Sequence, residues 1–216
     1  MKKSASVPQK IEIIFNALYL LITSSLALYL VLFTQSTVQQ LWGFMAMLLV
    51  FGDFFHLIPR ILRALHNSNN YTKALGLGKL ITSVTMSIFY VLLWFIGLRI
   101  FNVNTVFGTT IMLLSATLRI ILCLCPQNKW TSLKPNYRWG IYRNIPFVVQ
   151  GLAVGVLYYL NKNAYSQTGY MWILILLSYA FYIPVVLFAD KNPKIGMLML
   201  AKTCIYVWII AIGLRF

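Results

Sequence analysis

Three side chains able to carry charge fall on one face of an apolar helix: Asp53, His56 and Arg60, in the run Gly52-Asp53-Phe54-Phe55-His56-Leu57-Ile58-Pro59-Arg60. At 100° per residue they lie within about 60° of one another. Asp53 suits the role of proton acceptor or charge partner and His56 that of a titratable relay, with Arg60 a further ligand-binding or proton-coupling candidate on the same face. A charge at the centre of a membrane helix costs roughly 2.5–3.5 kcal/mol on insertion scales, so such residues normally face protein or water. Pro59 withdraws a backbone donor and frees the carbonyl of Phe55, which makes it, with Pro184, a candidate hinge. The same residues also fit a plainer arrangement. An Asp–Arg or Asp–His pair would lock helices together, with Arg60 marking the membrane edge.

More cations lie at similar depth. Lys79 opens the third apolar stretch, Arg119 lies inside the fourth, and Lys202 is well inside the seventh. Counted from Ile195, Lys202 is roughly 10 Å deep at 1.5 Å per residue. Tyr206 lies one turn beyond it and shares its face. Asp53 reads as the one acid within the apolar layer, and a lone carboxylate neutralises only a part of this charge. The remaining cations either snorkel to lipid phosphates or hold an anion inside the bundle. The expectation is a polar, cation-rich pocket in the cytoplasmic half, built from Asp53, His56, Arg119 and Lys202 with Arg60, Lys79 and Tyr206 beside them. Its guest would be an anionic or amphipathic small solute.

Weaker signals surround these. Gly76-Leu77-Gly78-Lys79 places glycines and a lysine at a helix start, where free amides bind phosphate, or simply gives the helix a flexible entry. It lacks the glycine spacing and following hydroxyl of a Walker loop. Cys123 and Cys125 would need further ligands to hold a metal, with only His66 near in sequence, and neither a metal site nor a disulfide framework is implied. Gly151 and Gly155 form a small-residue face that seats the fifth helix on a neighbour. Gln150, Ser178, Tyr182 and Tyr206 either line a cavity or satisfy one another between helices. No nucleophile motif or nucleotide fingerprint is present, so no catalytic residue and no cofactor is assigned.

The elements that must position these residues follow from hydropathy. A chain 60% hydrophobic and only 10% charged, with mean hydropathy +0.79, would expose more apolar surface than water tolerates. About 20 helical residues cross a bilayer, and seven stretches approach that length: 11–33, 41–62, 79–98, 105–125, 145–160, 169–188 and 195–214. The fold class is all-α, a seven-helix multi-pass membrane protein, with a basic tail over 1–10 and a single domain over 11–216. Lys2, Lys3, Lys10, Arg60, Arg63, Lys73, Lys79, Lys129, Lys134, Arg138, Arg143, Lys191 and Lys194 fall on one side, against Arg99, Lys162 and Arg215 on the other. That bias puts the N-terminus in the cytoplasm and the C-terminus outside the cell membrane. It also turns the +15 net charge into a topology signal that favours anionic inner-leaflet lipids over nucleic acid. The basic loop 126–144 holds Trp130 and Trp139 and reads as a segment lying on the headgroups. Asn67-Ser-Asn-Asn70 reads as a turn.

Tyr90-Val91 and Ile96-Gly97-Leu98-Arg99 recur as Tyr206-Val207 and Ile212-Gly213-Leu214-Arg215. This suggests a parallel 3+1+3 duplication, although narrow-alphabet helices also match by chance. The layout is similar to that of sugar transporters of the SWEET class, without their motifs. Seven helices with a lysine in the last resemble retinal proteins, where that lysine would form a Schiff base, and an inward N-terminus matches their heliorhodopsin branch. The sequence departs from that pattern because its third span has no acid to act as counter-ion, so Asp53 would have to serve from the second. Seven-span lipid hydrolases of the ceramidase and progestin-receptor superfamily hold zinc with several histidines. The two histidines here, neither in the seventh span, cannot assemble that site. The leading expectation is a small transporter or permease. The alternatives are a membrane enzyme acting on a lipid headgroup through Asp53 and His56, and a structural or accessory protein.

Overall fold

The computed structural model describes residues 7–66 and 71–216. Lys2 and Lys3 of the basic tail and the Asn67–Asn70 turn lie outside the described residues. Eight helices follow in order: α1 (Val7–Leu32), α2 (Thr37–His66), α3 (Thr72–Phe101), α4 (Val106–Leu124), α5 (Tyr137–Tyr142), α6 (Ile145–Leu160), α7 (Met171–Phe188) and α8 (Leu198–Ile212). Among the described residues there is no strand. Seven segments are long and apolar enough to cross a membrane: Lys10–Leu32, Thr37–His66, Thr72–Phe101, Val106–Leu124, Tyr137–Leu160, Met171–Phe188 and Lys194–Arg215. Their outer faces carry large exposed apolar side chains such as Leu21, Phe107, Leu114 and Trp208, a surface suited to lipid and not to water. The chain is an integral membrane protein.

Helix α6 has the bounds expected from hydropathy, but α1, α2 and α3 run past their apolar stretches. Apolar length measures the bilayer, whereas a helix continues until a cap or a breaker stops it. Asn102, in the left-handed region at φ 51°, ends α3 and donates its N–H to Leu98 O. Asparagine tolerates that conformation better than most residues. Helix α4 starts at Thr105, whose hydroxyl accepts from the Gly108 N–H at 3.2 Å, and stops at Cys125, held extended before Pro126. The last span is a 3-10 turn (Pro193–Met197) leading into α8.

The early start of α3 corrects one reading. Gly76 and Gly78 lie inside the helix, not at its free N-terminus, and both are buried. A Cβ on Gly78 would meet Phe55 O at 2.1 Å and one on Gly76 would meet Trp130 O at 1.9 Å. These glycines let backbones approach closely, and their amides belong to the helix. Phe55 O is the carbonyl that Pro59 deprives of its intrahelical donor. The α3 backbone covers it instead. Both α2 and α7 run through their prolines, Pro59 and Pro184, without a break.

The loop after α4 is also built into the protein. Asn128 is buried, and its Nδ2 donates to Leu122 O, Cys123 O and Cys125 O, the orphan carbonyls at the end of α4. Trp130 Nε1 donates to Cys123 O at 2.8 Å. Arg143 donates from Nη1 to Asn128 Oδ1 at 2.7 Å and stacks on the Trp130 ring. Trp130 thus plugs a helix end and does not lie flat on headgroups, whereas the short α5 carrying Trp139 has no buried residue. Helices α1, α2, α3, α6, α7 and α8 contact one another in a closed ring, with α4 seated against α3 and α6.

Candidate functional site

A cavity of ≈ 70 Å³ lies among α1, α2, α3 and α8, nearer the end of the bundle where α1 and α8 begin. Asp53, His56 and Arg60 reach it from α2, Lys202 and Tyr206 from α8, Asn16 and Tyr19 from α1, and Thr82 from α3. A volume of this size accepts a few waters or a very small solute, well below the roughly 300–1,000 Å³ of sites for drug-sized ligands.

Two polar contacts between α1 and α2 set the site. The Tyr19 hydroxyl donates to Asp53 Oδ2 at 2.6 Å. Two turns away Arg60 Nε donates to Glu12 in an ion pair. Tyr19 is seven residues after Glu12 and Asp53 seven before Arg60, so both pairs belong to one antiparallel register fixed by the short connection 33–36. Among the described residues no lysine or arginine lies within 4 Å of the Asp53 carboxylate.

Lys202 is 7% exposed, so it does not snorkel. Its Nζ lies 4.0 Å from the Tyr182 ring centroid and 5.3 Å from that of Tyr206. The aromatic quadrupoles stabilise the ammonium there. The hydroxyls around it are oriented by their partners. Ser178 donates to Ile175 O at 2.8 Å, which leaves it to accept from Tyr90 at 3.3 Å. Tyr90 in turn accepts from Tyr206 at 3.1 Å. Thr82 donates to Gly52 O and Thr203 to Met199 O, both at 2.8 Å. Each of these hydroxyl protons is committed to protein, so the oxygens of Tyr206, Thr82 and Thr203 meet the cavity as acceptors. His56 Nδ1 is buried without a hydrogen-bond partner.

Five of the seven candidates therefore line one cavity, and two do not. Lys79 is exposed on α3. Arg119 is only 2% exposed and sits over the Phe147 ring, 3.3 Å from its centroid, in the seam of α4 and α6. Its Nε and Nη1 have no hydrogen-bond partner. Arg60 is taken by Glu12, an acid the sequence reading left out of the apolar layer. The expected crowd of cations around a single carboxylate is thus dispersed: at the cavity, Asp53 faces Lys202, with the Arg60–Glu12 pair at its edge. Ser178 and Tyr206 satisfy each other through Tyr90, while Tyr182 donates to Asn144 Oδ1 at 2.7 Å. Gln150 Nε2 donates to Ser87 O at 3.3 Å, and its Oε1 is unpartnered. Gly151 packs under the Tyr179 ring, where a Cβ would lie 2.0 Å from a ring carbon, so α6 seats closely on α7.

Sequence reasoning missed Glu12, Tyr19 and Asn16. The hairpin register was the available signal: a four-residue connection places Glu12 opposite Arg60 and Tyr19 opposite Asp53. The fold and this buried polar cluster define a multi-pass membrane protein with an internal charged cavity. No family model, curated protein or solved structure matches the chain.

Proposed function

We propose that the chain is a small permease of the cell membrane, with its N-terminus in the cytoplasm, and that solute binding and proton transfer both occur at the Asp53–Lys202 cavity. The observation that carries this reading is the meeting of Asp53 and His56 with Lys202, on helices far apart in sequence, around a space holding water-sized guests. Ionisable groups inside a bundle mark ion and proton paths. Asp53 binds and releases the coupling proton, and His56 relays it. Pro59 lies one turn from His56, and Pro184 lies near Tyr182, the ring beneath Lys202. Flexing at these prolines would change access to the cavity. The parallel 3+1+3 arrangement fits such a motion, with one three-helix unit rocking against the other. Exposed Lys129, Lys134 and Arg138 suit anionic lipid on the cytoplasmic side.

The test uses purified protein in liposomes loaded with a pH-sensitive dye and challenged with small anionic, cationic and zwitterionic solutes. Protein-dependent proton movement is expected with at least one class. Asp53→Asn should reduce it at least about tenfold per folded molecule, as expected when a general acid–base group is lost. Wild-type protein that moves no protons with any class, or a variant that keeps full flux, overturns the proposal.

A further inference from the structure

The charges of the cavity also specify what it can take. Asp53 and Lys202 line one partly open cavity yet form no ion pair within 4 Å. Lys202 instead rests on the Tyr182 and Tyr206 rings, and Asp53 is engaged by a neutral hydroxyl, that of Tyr19. One negative and one positive group are therefore held apart across a cavity whose walls also include Leu49, Leu57 and Met86. Their charges cancel as they stand.

A guest with a net charge would leave the interior charged, and uncompensated charge is strongly disfavoured in a buried site. An anion would pair with Lys202 and repel Asp53. A cation would do the reverse. A molecule carrying both an ammonium and an acid group satisfies both ends and leaves the total at zero. Polar groups stand at both ends. Thr82 spends its proton on Gly52 O, next to Asp53, and its oxygen suits an ammonium there. Asn16 and Tyr206 add further polar side chains to the lining. At ≈ 70 Å³, with about 10–15 Å³ needed for each water-sized position, the space holds about five to seven such positions, enough for a solute as small as glycine.

We infer that the cavity binds a small zwitterion, its ammonium toward Asp53 and its acid group toward Lys202. The source is either a small free amino-acid-like solute or the phosphoethanolamine headgroup of a lipid, which would extend through the open side of the cavity. This inference rests on the reading of the cavity as the substrate site, and it is tested by binding alone, without transport.

The protein is placed in nanodiscs of phosphatidylglycerol, and its melting temperature is read with glycine, acetate or methylammonium, three probes that differ in charge. Glycine is expected to raise it by about 5 °C at a hundredfold excess over its dissociation constant, and the two singly charged probes by much less. A shift in phosphatidylethanolamine nanodiscs without free solute, lost in the phosphatidylglycerol discs, assigns the zwitterion to lipid. Asp53→Asn and Lys202→Gln should each abolish the response. The double variant, electroneutral again, should fold and also fail to respond, which separates lost binding from lost folding. The inference is overturned if acetate or methylammonium alone matches glycine, if the double variant still responds, or if neither glycine nor phosphatidylethanolamine stabilises the protein. Transport of a purely anionic solute would overturn the zwitterion and leave the permease standing. Glycine binding without any proton flux would do the opposite.

Discussion

Arg119 shows how a buried charge can be carried without a carboxylate. Its guanidinium lies 3.3 Å above the Phe147 ring, and a desolvated contact of this kind is worth about 2 kcal/mol. Neutralising the arginine should then be tolerated, whereas removing the ring should not. Phe147→Leu is expected to lower stability by about 3 kcal/mol, from lost packing and a stranded cation. Arg119→Met should be near neutral, as when hydrophobic groups replace a buried ion. In the Arg119→Met background the Phe147 substitution should cost about 2 kcal/mol less, a coupling that a double-mutant cycle of thermal melts would read. Equal costs in both backgrounds would remove the ring from the charge balance. The sequence gives the depth of Arg119 from its place in an apolar stretch. It does not give Phe147, which arrives on another helix after the loop that follows α4. The inward direction of Arg119 and Lys202 was likewise open, since their depth permits both snorkelling and burial. Neighbouring helices settle that choice.

Among the elements, the α2–α3 pair is the most informative. Gly78 covers the carbonyl that Pro59 leaves without a donor, and a Cβ there would come within 2.1 Å of it. Since backbone and not a flexible side chain lies in the way, the helices must part. Gly78→Ala is expected to lower stability by about 1–3 kcal/mol, the range for overpacking a tight contact. Gly196→Ala, where nothing lies within 4 Å, should be neutral or mildly stabilising by about 0.4–1 kcal/mol. Thermal melts of both variants decide this, and a silent Gly78→Ala would mean that α2 and α3 pack less closely than described. The opening glycines were legible as a device but not as this one, because the apolar stretch starts at Lys79 whereas α3 starts at Thr72. The α1–α2 hairpin is legible from its connection. Its short connection fixes which residues stand opposite one another, and that register brings Glu12 to Arg60.

At the scale of the whole molecule, seven helices follow from hydropathy because bilayer thickness sets a length that few other structures need. The convergence of the cations did not follow. Hydropathy ranks depth but says little about azimuth, and the closed ring of contacts decides which helix faces which. Orientation is a separate matter, on which the distribution of lysine and arginine bears. An odd number of spans puts the termini on opposite sides, and the proposed orientation, with the N-terminus in the cytoplasm, rests on the basic loops. Full-length protein with alkaline phosphatase fused after Phe216 should therefore be enzymatically active, and the same fusion with green fluorescent protein should be dark. Moving the basic residues of the 126–144 loop to the 161–170 connection should shift part of the population to the reverse state, because charge near span ends, not helix packing, is the determinant. A fluorescent, phosphatase-inactive C-terminus would invert the assignment. The cavity would then lie in the outer half of the bilayer, and its solute would have to be one presented from outside the cell.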